Sequence, residues 1–271
     1  MQSEKVHLKA EQETMLFTLF GKALQSRSKD PILPDSWAED AVSRIDYDFR
    51  KLKMREYESR IIAVRSRQFD LLTIRYLAEN PDATVLHLGC GMDSRVFRVN
   101  PPASVRWFDV DYPEVIALRR RLYPERAGYR MIGTALQDPD WLDDVLADRP
   151  AMIVAEGLMM YLTDDIVRSL LNRLTGHFPG GQLVFDAWNR LALRSAQRGP
   201  GFRGIDATFG WAIDDPDDIK KLNAQLKLIT EITARDLDAF SKMPWWSRTL
   251  VRMTNPIPAL RRANRILLYR F

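Results

Sequence analysis

The residues best suited to holding a charged small molecule are Gly89-Cys90-Gly91-Met92-Asp93-Ser94-Arg95, directly after the apolar run Val85-Leu86-His87-Leu88. A strand that breaks at glycines and restarts as a helix is a common seat for nucleotide-like ligands. The glycines open backbone conformations closed to other residues and let a ligand approach the main chain. Two further acids stand at the ends of apolar runs: Asp111 in Phe108-Asp109-Val110-Asp111, and Glu156 after Ile153-Val154-Ala155. Ligands of open α/β sheets bind at such strand ends, and an acid about twenty residues past the first glycine accepts hydrogen bonds from ribose hydroxyls. Between them, Leu136-Gln137-Asp138 offers apolar and amide groups where an adenine would lie.

The loop chemistry narrows the ligand. A dinucleotide site would carry a third glycine where this chain has Ser94, and its pyrophosphate would sit on the helix N-terminus. Asp93 opposes that: at 4 Å and an effective dielectric near 20, like unit charges repel by about 4 kcal/mol. S-adenosylmethionine has no phosphate and carries an α-ammonium and a sulfonium, so Asp93 favours it. The competing reading of Asp93 is a helix cap, worth about 1 kcal/mol. Asp109 is expected to support the turn, and Cys90 to be a small filler rather than a nucleophile.

Composition limits the remaining classes. The chain has 271 residues, 46% hydrophobic and 28% charged, enough for one large domain or a domain with a cap. A single cysteine excludes an intramolecular disulfide, and with three histidines no metal-ligand cluster is visible. The net charge of +4 does not call for nucleic acid. No apolar run is long enough to span a membrane, and acids interrupt any signal-like N-terminal core. A cytoplasmic protein without stable membrane association is expected. Residues 242–271 hold seven Lys or Arg and no acid, with Trp245-Trp246 among them. Pro244, Pro256 and Pro258 are expected to break any long helix there, leaving a solvated basic edge.

The elements that must position these residues follow from periodicity. Apolar residues at three- and four-residue spacing predict helices over 11–28, 36–53 (capped by Ser36) and 56–77. Short β-rich runs then alternate with helical ones, at 84–88, 105–110, 129–132, 151–155 and 183–186, followed by two late strands at 226–233 and 266–271. This predicts an α/β fold: a helical cap over residues 1–80, then an α/β domain over 81–271. The long polar segment at 188–225 is expected to be a substrate lid, with Arg194, Arg198 and Arg203 as anion attractors.

Three motifs together resemble the leucine carboxyl methyltransferase family: Gly89-Cys90-Gly91-Met92-Asp93-Ser94-Arg95-Val96-Phe97-Arg98, Asp109-Val110-Asp111-Tyr112-Pro113-Glu114-Val115 and Glu156-Gly157-Leu158-Met159-Met160-Tyr161-Leu162. Within the family the likeness is to the bacterial branch named for the tetracenomycin polyketide O-methyltransferase. Ile45-Asp46-Tyr47-Asp48-Phe49 and Arg65-Ser66-Arg67-Gln68-Phe69-Asp70 extend it over nearly the whole chain. The resemblance implies a class I methyltransferase (Rossmann-like) fold with a seven-stranded, mostly parallel sheet. It also implies S-adenosylmethionine as donor, S-adenosylhomocysteine as product, and a carboxylate or related oxygen as acceptor. Carried over by position, Arg65 pairs with the methionine carboxylate and Gly89 faces the methionine moiety, with Gly91 and Asp93 beside it. Asp111 holds the ribose, Glu156 closes the fourth strand end, and Lys22 matches a basic position of the branch. The chain departs from the eukaryotic enzymes at Ala135, where they have an adenine-binding acid, and is shorter than they are.

A carboxylate with a pKa near 4 is already ionised at pH 7, so such an acceptor requires no general base. Leu136, Tyr161 and Trp188 complete the candidate contacts, Leu136 toward the cofactor and the two aromatics toward a small organic acid. A phenol or hydroxyl acceptor would need a base, and no histidine is well placed to be one. A non-catalytic cofactor-binding protein is the reading from a different class.

Overall fold

The computed structural model describes residues 4–5, 10–198 and 209–271, with side chains described from Thr14 to Gln197 and from Phe209 to the end. Three N-terminal helices come first: α1 (Ala10–Ser26), α2 (Ser36–Arg44) and α3 (Glu56–Glu79). Helix α2 stops at Arg44, short of the predicted 53. Ile45–Asp46 leaves it as a two-residue strand, β2, pairing with β1 (Glu4–Lys5), and a 3₁₀ turn follows at Phe49–Leu52. The cap of α2 is Asp35 rather than Ser36, its carboxylate accepting from the Ala38 amide at 3.0 Å.

The α/β region contributes β3 (Thr84–Leu88), α4 (Arg95–Val99), β4 (Arg106–Asp111), α5 (Pro113–Leu122), β5 (Tyr129–Gly133), β6 (Ala151–Ala155) and α6 (Asp164–His177). It continues with β7 (Gly181–Trp188), α7 (Arg190–Arg198), β8 (Lys227–Thr233), α8 (Trp245–Thr254), α9 (Pro258–Arg261) and β9 (Asn264–Arg270). The sheet order is β5-β4-β3-β6-β7-β9-β8. Only β9 runs against its neighbours, inserted between β7 and β8. This is the seven-stranded, mostly parallel sheet of the class I methyltransferase fold.

The strands alternate between two cores, as period-two side chains must. Leu86, Leu88, Ile153 and Ala155 face Val167, Leu170 and Leu174 of α6. Val85, Met152 and Val154 face Phe69, Leu72 and Tyr76 of α3. The third N-terminal helix is thus a layer of the α/β sandwich. Helices α1 and α2 form a further core with Met92 of the glycine loop and Leu118 and Leu122 of α5. His87 and Glu156 share the α3 face with Val85 and Val154, which directs their polar groups toward that helix.

Candidate functional site

A cavity of about 460 Å³ opens at the carboxyl ends of β3, β4 and β6 and is roofed by α1 and α3. Gly89, Cys90, Gly91 and Asp93 form its floor, Asp111, Tyr112 and Val115 one wall, and Glu156, Gly157, Leu158 and Tyr161 the other. Thr14, Met15, Thr18 and Lys22 descend from α1, and Arg65 from α3.

Gly89 has φ of +59°, and a Cβ there would lie 2.9 Å from Leu158 Cδ1, so the bare backbone is needed at this turn. Gly91, at φ +49°, donates its amide to Asp111 Oδ2 at 2.7 Å, while Tyr112 N donates to Oδ1 at 2.7 Å. A carboxylate so held keeps lone pairs for further donors. Burial raises the Asp111 pKa against those two amides. From α5, Arg119 clamps the loop by donating to the Gly91 and Asp93 carbonyls at 2.7 and 2.9 Å, and Tyr123 donates to the Met92 carbonyl at 2.7 Å. Arg119 is fully buried and paired with Asp109, which also accepts from Trp107 Nε1 at 2.9 Å and Tyr129 OH at 2.6 Å.

A buried cluster of charges runs from the cavity lining into the protein behind it. Asp93 meets Lys22 at 2.8 Å, Arg98 at 2.7 Å and Arg95 at 3.2 Å. Arg95, with no exposed surface, also joins Asp70 at 2.8 Å and Glu156, over the Phe69 ring. Arg98 reaches Asp35 and Asp70, both at 2.7 Å. Arg65 donates through Nε to Glu156 and through Nη1 to Asp186, each at 3.0 Å, and Ser66 adds a 2.8 Å hydrogen bond to Glu156. Burial would raise the Glu156 carboxyl, but Lys22, Arg65 and Arg95 outweigh it and hold the group at about 2. Burial likewise opposes ionisation of Asp93, and Arg98, Lys22 and Arg95 hold it well below the usual range. Four cations, Lys22, Arg65, Arg95 and Arg98, thus face five carboxylates, Asp35, Asp70, Asp93, Glu156 and Asp186.

The model of one family, leucine carboxyl methyltransferase, matches residues 15–175, which include α3, the glycine loop, Asp111 and Glu156. The chain belongs to this family. It is 41% identical over 268 residues to the tetracenomycin polyketide synthesis O-methyltransferase TcmP of Streptomyces glaucescens, covering 99% of each chain. It is 37% identical to the S-adenosyl-L-methionine-dependent methyltransferase dpfgK of Gibberella zeae, over 80% of each chain. Among solved structures, a candidate methyltransferase from Thermobifida fusca YX shares the fold at TM-score 0.57 and 17% identity, with 93% of each chain covered.

In this member of the family, Lys22, Arg65, Gly89, Gly91, Asp93, Asp111, Glu156 and Tyr161 all line the same cavity. Asp93 is not the cap of α4; that position is Ser94, and no side chain caps it. Leu136 lies elsewhere. It is buried in the core on the α6 face, its carbonyl taken by Arg173, and none of Leu136, Gln137 and Asp138 lines the cavity. Trp188 is also outside the lining. It stacks on Phe209 at 5.7 Å, which stacks on Tyr161 at 5.3 Å, so it backs the cavity wall through two rings.

The expected lid at 188–225 is not one loop: α7 occupies its start, and Phe209, Trp211, Ile213 and Ile219 are buried. Arg194 is exposed on α7, whereas the Arg198 side chain and Arg203 lie outside the described residues. The sequence reading missed Asp35, Asp70, Asp186, Arg95, Arg98 and Arg119. For Asp186 a signal existed, since an acid closing an apolar strand run is the same feature that selected Glu156.

Proposed function

We propose that this chain is an S-adenosylmethionine-dependent O-methyltransferase acting on the carboxylate of a small organic acid. The observation that carries the cofactor half is charge. The buried cluster holds one carboxylate more than its cations, and S-adenosylmethionine carries one net positive charge. A dinucleotide's two negative phosphates would add to the excess. The TcmP and dpfgK names agree with this reading. Arg65 Nη2, pointing past Gly157, and the Lys22 ammonium offer donors to the methionine carboxylate, and Asp111 accepts the ribose hydroxyls.

When bound, the cofactor supplies an electrophilic methyl group. The chain's own contribution is alignment and exclusion of water, and holding reactants in near-attack geometry is worth on the order of 7–11 kcal/mol. The contacts of His87 support the carboxylate over the phenol. It is the histidine of the cavity lining, yet Nδ1 lies 3.1 Å from Asp109 and Nε2 3.2 Å from Arg95 Nη1. With both nitrogens engaged it is not set to take a proton from a phenol, which favours an acceptor already ionised. Incubation with methyl-labelled S-adenosylmethionine and a panel of acids and phenols, followed by mild base, tests this. Label released by base is expected; a base-stable product rejects the carboxyl acceptor. Calorimetric binding of NAD without any response to S-adenosylhomocysteine rejects the cofactor.

A further inference from the structure

Helix α8 turns its apolar side outward. Trp245 and Met253 are 72% and 71% exposed, and Trp246 and Leu250 are 43% and 56% exposed. At about 100° per residue, these four share one arc with Arg252 and Thr249, and the less exposed Ser247, Val251 and Thr254 share the opposite one. A helix of a globular domain ordinarily does the reverse. Exposed Ile257 and Leu260 extend the patch through α9. Pro244 caps α8 and Pro256 follows its end, so the prolines bound this helix rather than break it.

The unpaired charge on α8 and α9 has one sign. Lys242 is paired with Asp30, and Arg262 and Arg265 share Glu231. Arg248, Arg252 and Arg261 form no ion pair among the described residues. The position is also particular. Strand β8 runs parallel to β7, so Thr233 ends, and Asn264 begins opposite Trp188, at the carboxyl edge of the sheet. Helices α8 and α9 therefore lie at the edge where the cavity opens. Trp246 contacts Tyr57 at 5.5 Å, about two turns of α3 from Arg65.

We propose that α8 and α9 form a reversible docking surface for an anionic lipid bilayer, bringing the cavity edge of the sheet to the membrane. A convex apolar arc flanked by unpaired arginines suits a planar anionic interface, where tryptophans sit at headgroup level and arginine stems lie along apolar surface. A second copy on a twofold axis would set the same arginines against each other, and α8 and α9 carry no acid to pair with them. No helix among the described residues is long and apolar enough to cross a membrane, so the association is peripheral.

The full-length protein should co-sediment with phosphatidylglycerol–phosphatidylcholine vesicles, weakly with phosphatidylcholine alone, and less as salt rises. Tryptophan fluorescence should shift to the blue on binding, a readout that needs no variant. Trp245→Ser with Met253→Ser should weaken binding tenfold or more. Arg252→Gln with Arg261→Gln should weaken it roughly thirtyfold. Equal binding to both vesicle types, or wild-type binding by both double variants, overturns the proposal. So does failure to sediment, including the case of a dimer that Trp245→Ser/Met253→Ser dissociates or capture by an acidic peptide alone.

Discussion

The two sides of the cavity are built by opposite means. The floor under Gly89 and Gly91 rests on buried ion pairs: Asp93, Arg95, Arg98 and Glu156 hold one another in place, and each answers to more than one partner. The Tyr161 side rests on ring stacking and aliphatic packing, with Phe209 between Tyr161 and Trp188 and Met160 and Leu193 behind. A network of buried charges has few alternative arrangements, because any displaced partner leaves a charge without solvent. Stacked rings tolerate exchange of shape at small cost. On the proposed function, the invariant part of the reaction, the cofactor, would fall to the charged side and the choice of acceptor to the aromatic side.

The largest effect that would break this contrast is on Arg95. Arg95→Met removes the fully buried cation shared by Asp70, Asp93 and Glu156. Breaking such a network by removing one member costs about 3–5 kcal/mol. Urea unfolding should show that loss; a change under about 1 kcal/mol would mean that the charges relax to other partners and the floor is not held as described.

Acid should separate the two sides next. Arg119 and His87 overcome burial to hold Asp109 at about 2, and Glu156 sits at about 2 for the reasons given. Unfolded carboxyls titrate near 4. As pH falls, protons bind the unfolded chain first, so stability present above about pH 5 is lost progressively toward about pH 2. The loss is on the order of 2 kcal/mol per group. Urea midpoints measured at falling pH should drop through this window. Midpoints that stay level to about pH 3 would show that folding does not depress these carboxyls.

Arg65 sharpens the assignment of the cofactor. Arg65→Gln keeps an amide near the Nε position beside Glu156 but removes the charge and the reach to Asp186. Hydrogen bonds to charged groups are worth about 1.5–3 kcal/mol. Affinity for S-adenosylhomocysteine should therefore fall roughly ten- to a hundredfold by calorimetry, and unchanged affinity would remove Arg65 from the cofactor side.

The same contrast explains what the sequence disclosed. Strands β3 and β6 were legible to the residue, because short apolar runs bounded by turn residues leave little choice of register. The glycine loop, Asp111 and Glu156 stood out because they interrupt such runs at one end of the sheet. The partners that hold them did not. Asp35 and Arg98 are 63 residues apart, and Arg65 and Asp186 are 121 apart. Asp35, Arg65 and Arg98 alone read as surface charges on a helix or loop, and only the tertiary fold brings them together with their partners. Leu136 misled because an apolar residue after a strand looks the same whether it faces a ligand or the core.

The smallest effect lies on the aromatic side and tests the division of labour most directly. Phe209→Leu removes the middle ring of the Tyr161–Phe209–Trp188 stack while keeping a buried apolar side chain of similar reach. An aromatic pair contributes about 0.5–1.5 kcal/mol beyond area burial, so Tyr161 loses that much restraint on its position in the wall. If the acceptor is selected there, KM for the acid should rise by roughly two- to tenfold, while S-adenosylhomocysteine affinity stays within about twofold. Because Asp93 and Glu156 hold the glycine-loop floor independently of this stack, a matching loss of cofactor affinity would show the two sides to be one mechanical unit. Unchanged KM with an unchanged cofactor affinity would move acceptor selection away from the rings, to the α1 side of the cavity at Thr14 and Thr18.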